Sequence, residues 1–349
     1  MWQKNILKIL FALLFLIFPL GQFAKPDILV LIIFIFWFFF VKKKSKPLLF
    51  KPFLIFFIIS IISLVLRIPT LSSEQFILSS LYLFRLVIYA SLYFVIYDIP
   101  DKKFVISGLL FSGLTFAVIG LMQYKFFPDM RIMKYLGWDD HYYRIVSTFF
   151  DPNFSGVIYA CSTLLVLRKN KALALIPFIA LLLTYSRTSY LAFFSGLILM
   201  LVQGHKKILI LPSLIIILLL IINLPRSYGG EGVKLERTSS INNRLQSLRD
   251  GFQIFIKNPV LGVGFNTYKF LPGKNTESHS ASGVENSYVL ILATTGVLGF
   301  LAFLNILVRL PRQPEIIAVL VSALFINSLF YPWIMVWFIL LTAVFKENT

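Results

Sequence analysis

The chain has 349 residues, of which 58% are hydrophobic, and its formal net charge is +18. Soluble domains are usually about half apolar, so this composition excludes a soluble domain and indicates an integral membrane protein. Many of the basic residues flank apolar stretches, where they set orientation and contact lipid headgroups, so the charge does not indicate nucleic-acid binding. The chain has a single cysteine, Cys161, which lies in an apolar run. It has no second cysteine for an intrachain disulfide or a CxxC metal site.

Apolar stretches long enough to enter a membrane run through the whole chain, since a spanning helix needs about 20 apolar residues. They predict an all-α polytopic protein with about 12 transmembrane helices. The stretches are residues 6–24, 27–41, 48–66, 76–97, 104–122, 153–167, 172–185, 188–203, 208–224, 287–308, 315–330 and 332–345. The first is too long for a signal-peptide core and lacks a small-residue cleavage site, which indicates a retained helix. The last two could instead form one re-entrant pair.

Basic residues recur in every second connection, which is the positive-inside pattern of a cytoplasmic membrane protein. We therefore expect both termini in the cytoplasm. The residues concerned are Lys42, Lys43, Lys44, Lys46, Lys102, Lys103, Arg168, Lys169, Lys171, Lys206, Lys207, Arg309, Arg312 and Lys346.

Two long outer loops depart from this pattern, because residues 123–144 and 225–285 together hold twelve of the 33 Lys and Arg residues. Long loops translocate largely regardless of charge, so the topology is unaffected. Within the second loop, residues 241–257 have apolar side chains at helical spacing and predict an amphipathic helix. We expect it on the outer membrane surface with its basic face towards a substrate. Alternatively, it simply covers the transmembrane bundle.

These features divide the chain into five segments. We expect N-terminal transmembrane helices, a first extracytoplasmic loop, central transmembrane helices, a large extracytoplasmic catalytic loop and C-terminal transmembrane helices. Their bounds are residues 1–122, 123–145, 146–224, 225–286 and 287–349.

Arg85 lies near the middle of the fourth apolar stretch. The carboxylates of the chain lie in loops or at helix ends, so the sequence predicts no salt-bridge partner for Arg85 within a helix core. An intramembrane arginine without such a partner is a candidate for ligand contact. The alternative is a structural arginine that donates to backbone carbonyls.

Arg187 lies in the outer hairpin between the seventh and eighth stretches. Both stretches have fewer residues than a full crossing requires, so we expect the hairpin below the outer surface and Arg187 at the lining of a cavity. A planar guanidinium suits bidentate binding of phosphate oxygens. The alternative is an anchor that reaches lipid headgroups.

Several short motifs occur in a distinctive order. Arg144 is followed by Ser147-Thr148-Phe149-Phe150-Asp151-Pro152-Asn153-Phe154-Ser155-Gly156, and Ser186-Arg187-Thr188 forms the outer hairpin. Downstream come Asn243-Arg244, the turn Pro259-Val260-Leu261-Gly262-Val263-Gly264, the run Glu285-Asn286-Ser287-Tyr288 and then Thr295-Gly296-Val297-Leu298-Gly299-Phe300. Together, across residues 144–303, they resemble the O-antigen ligase and polymerase family. The other segments match this family only in hydropathy.

The resemblance implies glycan transfer on the outer face of the cytoplasmic membrane, from a polyprenyl-pyrophosphate donor to an acceptor sugar hydroxyl. The acceptor is on lipid A core, on another lipid-linked glycan or, for some relatives, on a protein. Arg187, Arg144 and Arg244, in that order, are the expected pyrophosphate contacts, with Arg85 a further candidate. Such chemistry requires positive charge and a base, and we expect neither cofactor nor metal. The adjacent side chains of Asp139, Asp140 and His141 point in different directions, so we do not expect them to hold a metal ion.

The catalytic base is where this sequence differs from the family pattern. Many relatives have a histidine close before the asparagine that opens the next helix, whereas here Glu285 precedes Asn286 and the nearest histidine, His279, lies seven residues upstream. An imidazole near its ordinary pKa suits a general base, whereas we expect a carboxylate beside arginines to be more acidic. The sequence therefore favours His279 as the base, with Glu285 as the alternative and a third group not excluded.

A different class of protein also fits part of the pattern. A flippase for lipid-linked oligosaccharides, or another multi-spanning exporter, would have about twelve helices and intramembrane arginines, although it would not need a long basic outer loop. Trp138, Tyr142 and Tyr143 lie in the first outer loop, where they could stack on sugars or anchor the protein at the membrane interface.

Overall fold

The computed structural model describes residues 2–41, 47–98, 101–204, 217–218, 220–221, 231–271 and 283–345. In these residues the fold is all-helical, and strand pairing is limited to one isolated bridge between Asp129 and Tyr142. The helices are α1 (Trp2–Ile17), α2 (Pro26–Phe40), α3 (Phe50–Val65), α4 (Ser73–Asp98), α5 (Lys102–Phe126), α6 (Pro152–Leu167), α7 (Lys171–Leu182), α8 (Arg187–Val202), α9 (Ser239–Lys257), α10 (Ser287–Leu307), α11 (Pro314–Ser322) and α12 (Pro332–Val344).

The apolar helices form an integral membrane protein. Four segments of the described chain are long and apolar enough to cross a membrane by length and composition, namely Trp2–Phe23, Ser73–Asp98, Lys102–Phe126 and Ser287–Leu307. Six further apolar helices have 10–17 residues. Large apolar side chains such as Ile28, Phe39 and Leu81 are mostly exposed, which suits a surface in contact with hydrocarbon. The predicted stretch at residues 208–224 lies largely outside the described residues.

The bundle packs mainly through neighbours in space rather than in sequence. Helix α8 packs against α11, and α6 packs against both α7 and α8. On the other side, α10 packs against α3, and α12 packs against α4. The middle of α4 and the beginnings of α2, α6, α10 and α12 consequently meet around one space, which is described below.

Polar residues of the sequence motifs begin three of these helices. The Asp151 carboxylate accepts hydrogen bonds from the backbone N–H groups of Asn153 and Phe154 at the start of α6. Ser186 caps α8 by accepting from the Ser189 N–H, and Asn286 caps α10. Each cap satisfies N–H groups that lack partners within the helix. The motifs are therefore helix starts as well as candidate ligands.

The turn after α9 completes a broken helix. Gly296 interrupts α10 with a φ of 67°, and the turn at residues 259–264 supplies the lost hydrogen bonds. The N–H groups of Val263 and Gly264 donate to the carbonyls of Ala293 and Thr294, at 3.0 Å each, and the Val297 N–H donates to the Pro259 carbonyl at 2.8 Å. These hydrogen bonds hold the end of α9 against the first half of α10.

Helix α9 is amphipathic, as the sequence predicts, with two distinct faces. Gly251 packs against Val284 and Val289 near the start of α10, and Arg244 lies on the protein-facing side, where it contacts Glu285. An apolar stripe on the other side remains exposed and consists of Ile241, Leu245, Phe252 and Ile256. The helix therefore both covers the bundle and directs a basic residue inward.

Candidate functional site

A cavity of about 500 Å³ lies where the beginnings of α2, α6, α10 and α12 meet. Its lining also includes the middle of α4, the first half of α10, and Phe265, Asn266 and Lys269, which follow the turn after α9. Eight of its lining residues carry charge. They are Lys25, Asp27, Arg85, Asp139, Asp151, Arg244, Lys269 and Glu285. The volume is typical of a ligand-binding cavity, and the density of charge distinguishes this cavity from the surrounding apolar bundle.

Hydrogen bonds join the starts of α6 and α8 at the edge of this cavity. The Ser186 hydroxyl donates to the Asn153 side-chain oxygen at 2.9 Å, and the Ser189 hydroxyl donates to the Asn153 carbonyl at 3.1 Å. Helix starts carry partial positive charge from their N–H groups and favour anions. Two such starts held together raise the local potential for a negatively charged group.

Arg244 connects this pair to the start of α10. Its Nε donates to a Glu285 carboxylate oxygen at 3.2 Å, and its Nη1 donates to the Thr188 hydroxyl at 3.1 Å. Both Arg244 and Glu285 line the cavity. The structure therefore brings together a guanidinium, a carboxylate and three helix starts.

Glu285 is a stronger base than the sequence indicates. Burial raises the pKa of Glu285, and this effect outweighs the neighbouring Arg244, which lowers it. The expectation that this carboxylate is made more acidic by its arginine neighbours is therefore wrong. The physical reason is loss of solvation, which disfavours the ionised form more than one guanidinium favours it.

Arg144 lies fully inside the protein rather than at the cavity surface. Its Nε donates to the Thr184 carbonyl at 2.9 Å, while its Nη2 is buried without a hydrogen-bond partner among the described residues. Burial, followed by repulsion from Arg237, lowers the pKa of Arg144 to about 9. A buried donor of this kind favours a nearby anion.

Arg187 begins α8 and holds the large loop. Its Nη1 donates to the carbonyls of Leu235 and Arg237, at 2.9 and 3.0 Å. Neither Arg187 nor Arg144 is among the residues that line the described cavity. The sequence places Arg187 at the lining of a cavity, and in the part of the chain that the structure describes it is not there. The short hairpin of α7 and α8 that the sequence predicts is present.

Arg237, whose carbonyl accepts from Arg187, is a further basic residue of this region that the sequence does not single out. It donates to the carbonyls of Gly232, Lys234 and Tyr185, so it fastens the loop to the α7–α8 hairpin. Its charge lowers the pKa of both Arg144 and His141. No spacing marks it in the sequence, because the backbone carbonyls that it contacts leave no side-chain motif.

Arg85 has a salt-bridge partner, contrary to the sequence prediction. Its Nε lies 2.6 Å from Asp27 Oδ1, and its Nη2 donates to Asp27 Oδ2 at 3.1 Å. The prediction is wrong because Asp27, although at a helix end, opens α2 beside the middle of α4. Both residues line the cavity, together with Lys25 and Lys269.

The histidines and the acidic residues considered as metal ligands differ in where they lie relative to the cavity. His279 lies outside the described residues. His141 is buried, and desolvation lowers its pKa to about 3, which leaves it a poor proton acceptor. Asp139 lines the cavity, whereas Asp140 and His141 do not. Within the described ranges, no group of three or more His, Cys, Asp or Glu residues is arranged to hold a metal ion.

Aromatic rings form part of the cavity lining. Phe154 and Tyr331 stack in parallel, with ring centroids 4.2 Å apart and an interplanar angle of 9°. Trp138 lines the cavity as well, whereas Tyr142 and Tyr143 do not. Flat rings of this kind suit contacts with sugars as well as lipid.

The helical architecture and the charged residues at the helix starts define an integral membrane protein with a charged cavity. Residues 172–304 match the O-antigen ligase family, and this match confirms the resemblance to the O-antigen ligase and polymerase family found in the motifs. The matched span contains most of α7, all of α8 and α9 and most of α10, and with them Arg187, Arg244 and Glu285. A search among curated proteins finds no significant match.

Proposed function

We propose that the protein transfers a glycan from a polyprenyl pyrophosphate to an acceptor sugar hydroxyl on the outer face of the cytoplasmic membrane. The observation that carries this proposal is the pairing of Glu285 with Arg244 at the cavity lining. A carboxylate of raised pKa and a guanidinium at adjoining helix starts are the two groups that the transfer needs: a base for the hydroxyl and positive charge for the leaving group.

Arg244 is the first candidate to bind the donor pyrophosphate. Its cavity position and its partly buried side chain support this role. Arg187 and Arg144 are the further candidates, because their charges act on the same region: burial lowers the pKa of both, and the charge of Arg244 adds to that effect in each. The N–H groups at the starts of α6 and α8 add a preference for phosphate.

The proposed reaction is a single displacement. The acceptor hydroxyl oxygen forms a bond to the anomeric carbon of the donor, and the bond from that carbon to the pyrophosphate oxygen breaks. The electron pair stays with the pyrophosphate, where Arg244 stabilises it, and the hydroxyl proton passes to Glu285. The raised pKa of Glu285 supports this assignment. His279 remains the base that the sequence favours.

Location on the outer face rests on the charge pattern of the sequence. Basic residues in alternate connections favour cytoplasmic termini, and on that topology the loop containing Arg244 and Glu285 is extracytoplasmic. The donor would then reach the cavity from the outer leaflet.

A purified-protein assay tests this proposal. Full-length protein in detergent is given only a polyprenyl-pyrophosphate glycan and an acceptor glycan, and the released polyprenyl pyrophosphate is measured by mass spectrometry. We expect release that requires both substrates. An exporter or flippase would leave the donor uncleaved, and that outcome would contradict the proposal.

A further inference from the structure

The carboxamide of Asn327 is bound at one end only. Asn327 lies in the connection between α11 and α12, where its Oδ1 accepts a hydrogen bond from the Ser287 hydroxyl at 3.2 Å. Ser287 is fully buried, and its Oγ in turn accepts from the Leu329 N–H at 3.3 Å. Within the described residues, Asn327 Nδ2 donates to no protein group. The amide therefore directs its oxygen into the protein and keeps its N–H donors unused.

The unused nitrogen of Asn327 lies at the charged cavity. Asn327 is half-buried and lines the cavity, as does Gly283, whereas Ser287 does not. A Cβ placed on Gly283 would lie 3.7 Å from Asn327 Nδ2. Because the oxygen end is held by a residue behind the lining, the nitrogen end is the one that a bound molecule can reach.

Asn286 uses both ends of its amide within the protein, unlike Asn327. The Oδ1 atom of Asn286 accepts from the N–H groups of Tyr288 and Val289, and its Nδ2 donates to the Leu324 carbonyl at 2.7 Å. Amides that serve the fold are normally satisfied in this way. Asn327 is fixed at one end and open at the other, which is the arrangement of a side chain that binds a ligand.

Asn327 and Arg244 reach the segment that carries Glu285 from different elements. Arg244 and Ser247 contact Glu285 from α9, through its carboxylate and its N–H group, whereas Asn327 contacts Ser287 from the connection between α11 and α12. In a single displacement the attacking and leaving oxygens lie on opposite sides of the anomeric carbon. The leaving pyrophosphate belongs with Arg244, so Asn327 is the donor placed for the acceptor.

A neutral amide beside aromatic rings suits a sugar better than a phosphate. Sugar oxygens accept well from an uncharged N–H group, whereas a phosphate gains more from a cation. Tyr331, which follows Asn327 in the same connection, lines the cavity and stacks on Phe154. This short connection thus offers both a hydrogen-bond donor and a flat ring to a sugar.

We propose that Asn327 binds the acceptor sugar: its Nδ2 donates to an oxygen of that sugar, next to the hydroxyl whose proton passes to Glu285. Ser287 is the positioning residue that orients the amide for this contact. The inference rests on the proposed function and adds a substrate-binding residue to it. The acceptor that Asn327 selects has a hydroxyl or carbonyl oxygen beside the reacting hydroxyl.

Two-substrate kinetics of the full-length protein in detergent test the inference. The donor is the polyprenyl-pyrophosphate glycan purified from cells that make the protein, and the acceptor probe is the glycan mixture that mild acid releases from the envelope of the same cells. For Asn327→Ala we expect the apparent KM of the acceptor mixture to rise about three- to tenfold, the effect of one lost hydrogen bond between neutral groups. The donor KM should stay unchanged.

Two further variants sharpen this test. Asn327→Asp keeps the oxygen that Ser287 holds but replaces the donating nitrogen, so the acceptor KM should rise at least as much. Asn305→Ala is the matched control, because the Asn305 amide accepts from Arg309 towards the end of α10, and it should change neither KM. Where thermal unfolding in detergent shows that Asn327→Ala misfolds, Asn327→Asp, which nearly preserves the shape of the side chain, decides.

The outcomes distinguish this inference from the proposed function. An unchanged acceptor KM in Asn327→Ala, or a normal one in Asn327→Asp, would overturn the inference while transfer by the unmutated protein still supports the proposed function. An equal rise in the donor KM would also overturn it, because Asn327 would then shape the site as a whole. Absence of transfer in the unmutated protein would contradict the proposed function and the inference with it.

Discussion

At the scale of single residues, the proposed chemistry depends on two groups that modify each other. Arg244 favours the ionised form of Glu285, while burial disfavours it more strongly and leaves the pKa raised. A carboxylate whose pKa is raised in this way accepts a proton more readily than an exposed one. The arginine is in turn positioned by Glu285 and Thr188.

Glu285→Gln tests the base directly. We expect the turnover number to fall about 100-fold or more, the usual contribution of general base catalysis, because an amide accepts no proton at neutral pH. Binding of the lipid-linked donor should persist, since Arg244 remains. The exposed Glu74, in the first turn of α4, gives the control Glu74→Gln. A Glu285→Gln protein with near-normal turnover, beside an inactive His279→Ala protein, would assign the role to His279.

The pH dependence of transfer provides an independent test. Glu285 must be deprotonated to act as the base, and its pKa is raised, so activity should be full above that pKa and fall as the pH drops through it. The midpoint should lie above about 4.3, the ordinary value for glutamate. In His279→Ala the acid limb should remain. Loss of that limb in His279→Ala would show that a histidine titrates instead.

Arg187→Lys tests the geometry of an arginine. The planar guanidinium of Arg187 donates from Nη1 to two loop carbonyls, and an ammonium cannot reproduce the planar, multi-donor geometry that suits phosphate oxygens. We expect turnover to fall at least about tenfold in both Arg187→Lys and Arg187→Ala, with normal amounts of protein in the membrane. Arg249→Lys, on an exposed part of α9, is the matched control. Near-normal turnover in Arg187→Lys would rule out bidentate recognition at this position.

For single residues, the sequence identifies candidate functional side chains better than it identifies their contact partners. The intramembrane position of Arg85 was visible, but its salt bridge to Asp27 joins residues 58 positions apart. That contact depends on where α2 begins relative to α4, which hydropathy does not specify. Likewise, the burial that raises the pKa of Glu285 comes from packing of α9 on α10, which no local motif encodes.

At the scale of elements, the turn after α9 and the break in α10 form one unit. Most helix bounds agree with the apolar stretches to within a few residues, because hydrophobic length sets them. The sequence does not predict the break in α10 at Gly296, because glycine is also common within unbroken apolar helices. It becomes intelligible only with the turn, whose N–H groups and carbonyls satisfy the interrupted backbone.

Gly262→Ala tests this unit. Gly262 has a φ of +66°, and a Cβ there would lie 2.4 Å from the backbone carbon of Thr294, so the turn must separate from α10. Gly204 provides a matched control, because its φ is +83° but a Cβ would meet none of the described residues within 4 Å. We expect Gly262→Ala to lower stability by at least about 2 kcal/mol more than Gly204→Ala, measured as thermal unfolding in detergent. Equal effects would show that backbone strain alone matters.

At the scale of the whole molecule, the bundle places a charged cavity among apolar helices. Such a combination suits a ligand with a polar, anionic part and a long hydrocarbon part. The sequence predicts a membrane protein, and the apolar helices and the family match support that prediction. It could not indicate the cavity, because the lining comes from elements throughout the chain, from Gln22 to Met335.

Metal removal tests the chemistry at this scale. The proposed transfer uses a base and arginine charge, so it should continue at an unchanged rate in excess EDTA without added divalent cation. The measurement is the transfer rate before and after chelation. Reversible loss, restored by Mg²⁺ or Mn²⁺, would require a metal site and would direct attention to Asp139 and Asp151, the acidic residues that line the cavity near Arg244.

The most direct test of the central claim counts two products in one reaction. Purified full-length protein in lipid vesicles receives donor labelled in both its glycan and its phosphate, together with acceptor. We predict one polyprenyl pyrophosphate released for each glycosidic bond formed, with both products lost in Glu285→Gln. Movement of intact donor across the bilayer, with its glycan still attached to phosphate, would contradict glycan transfer by this protein.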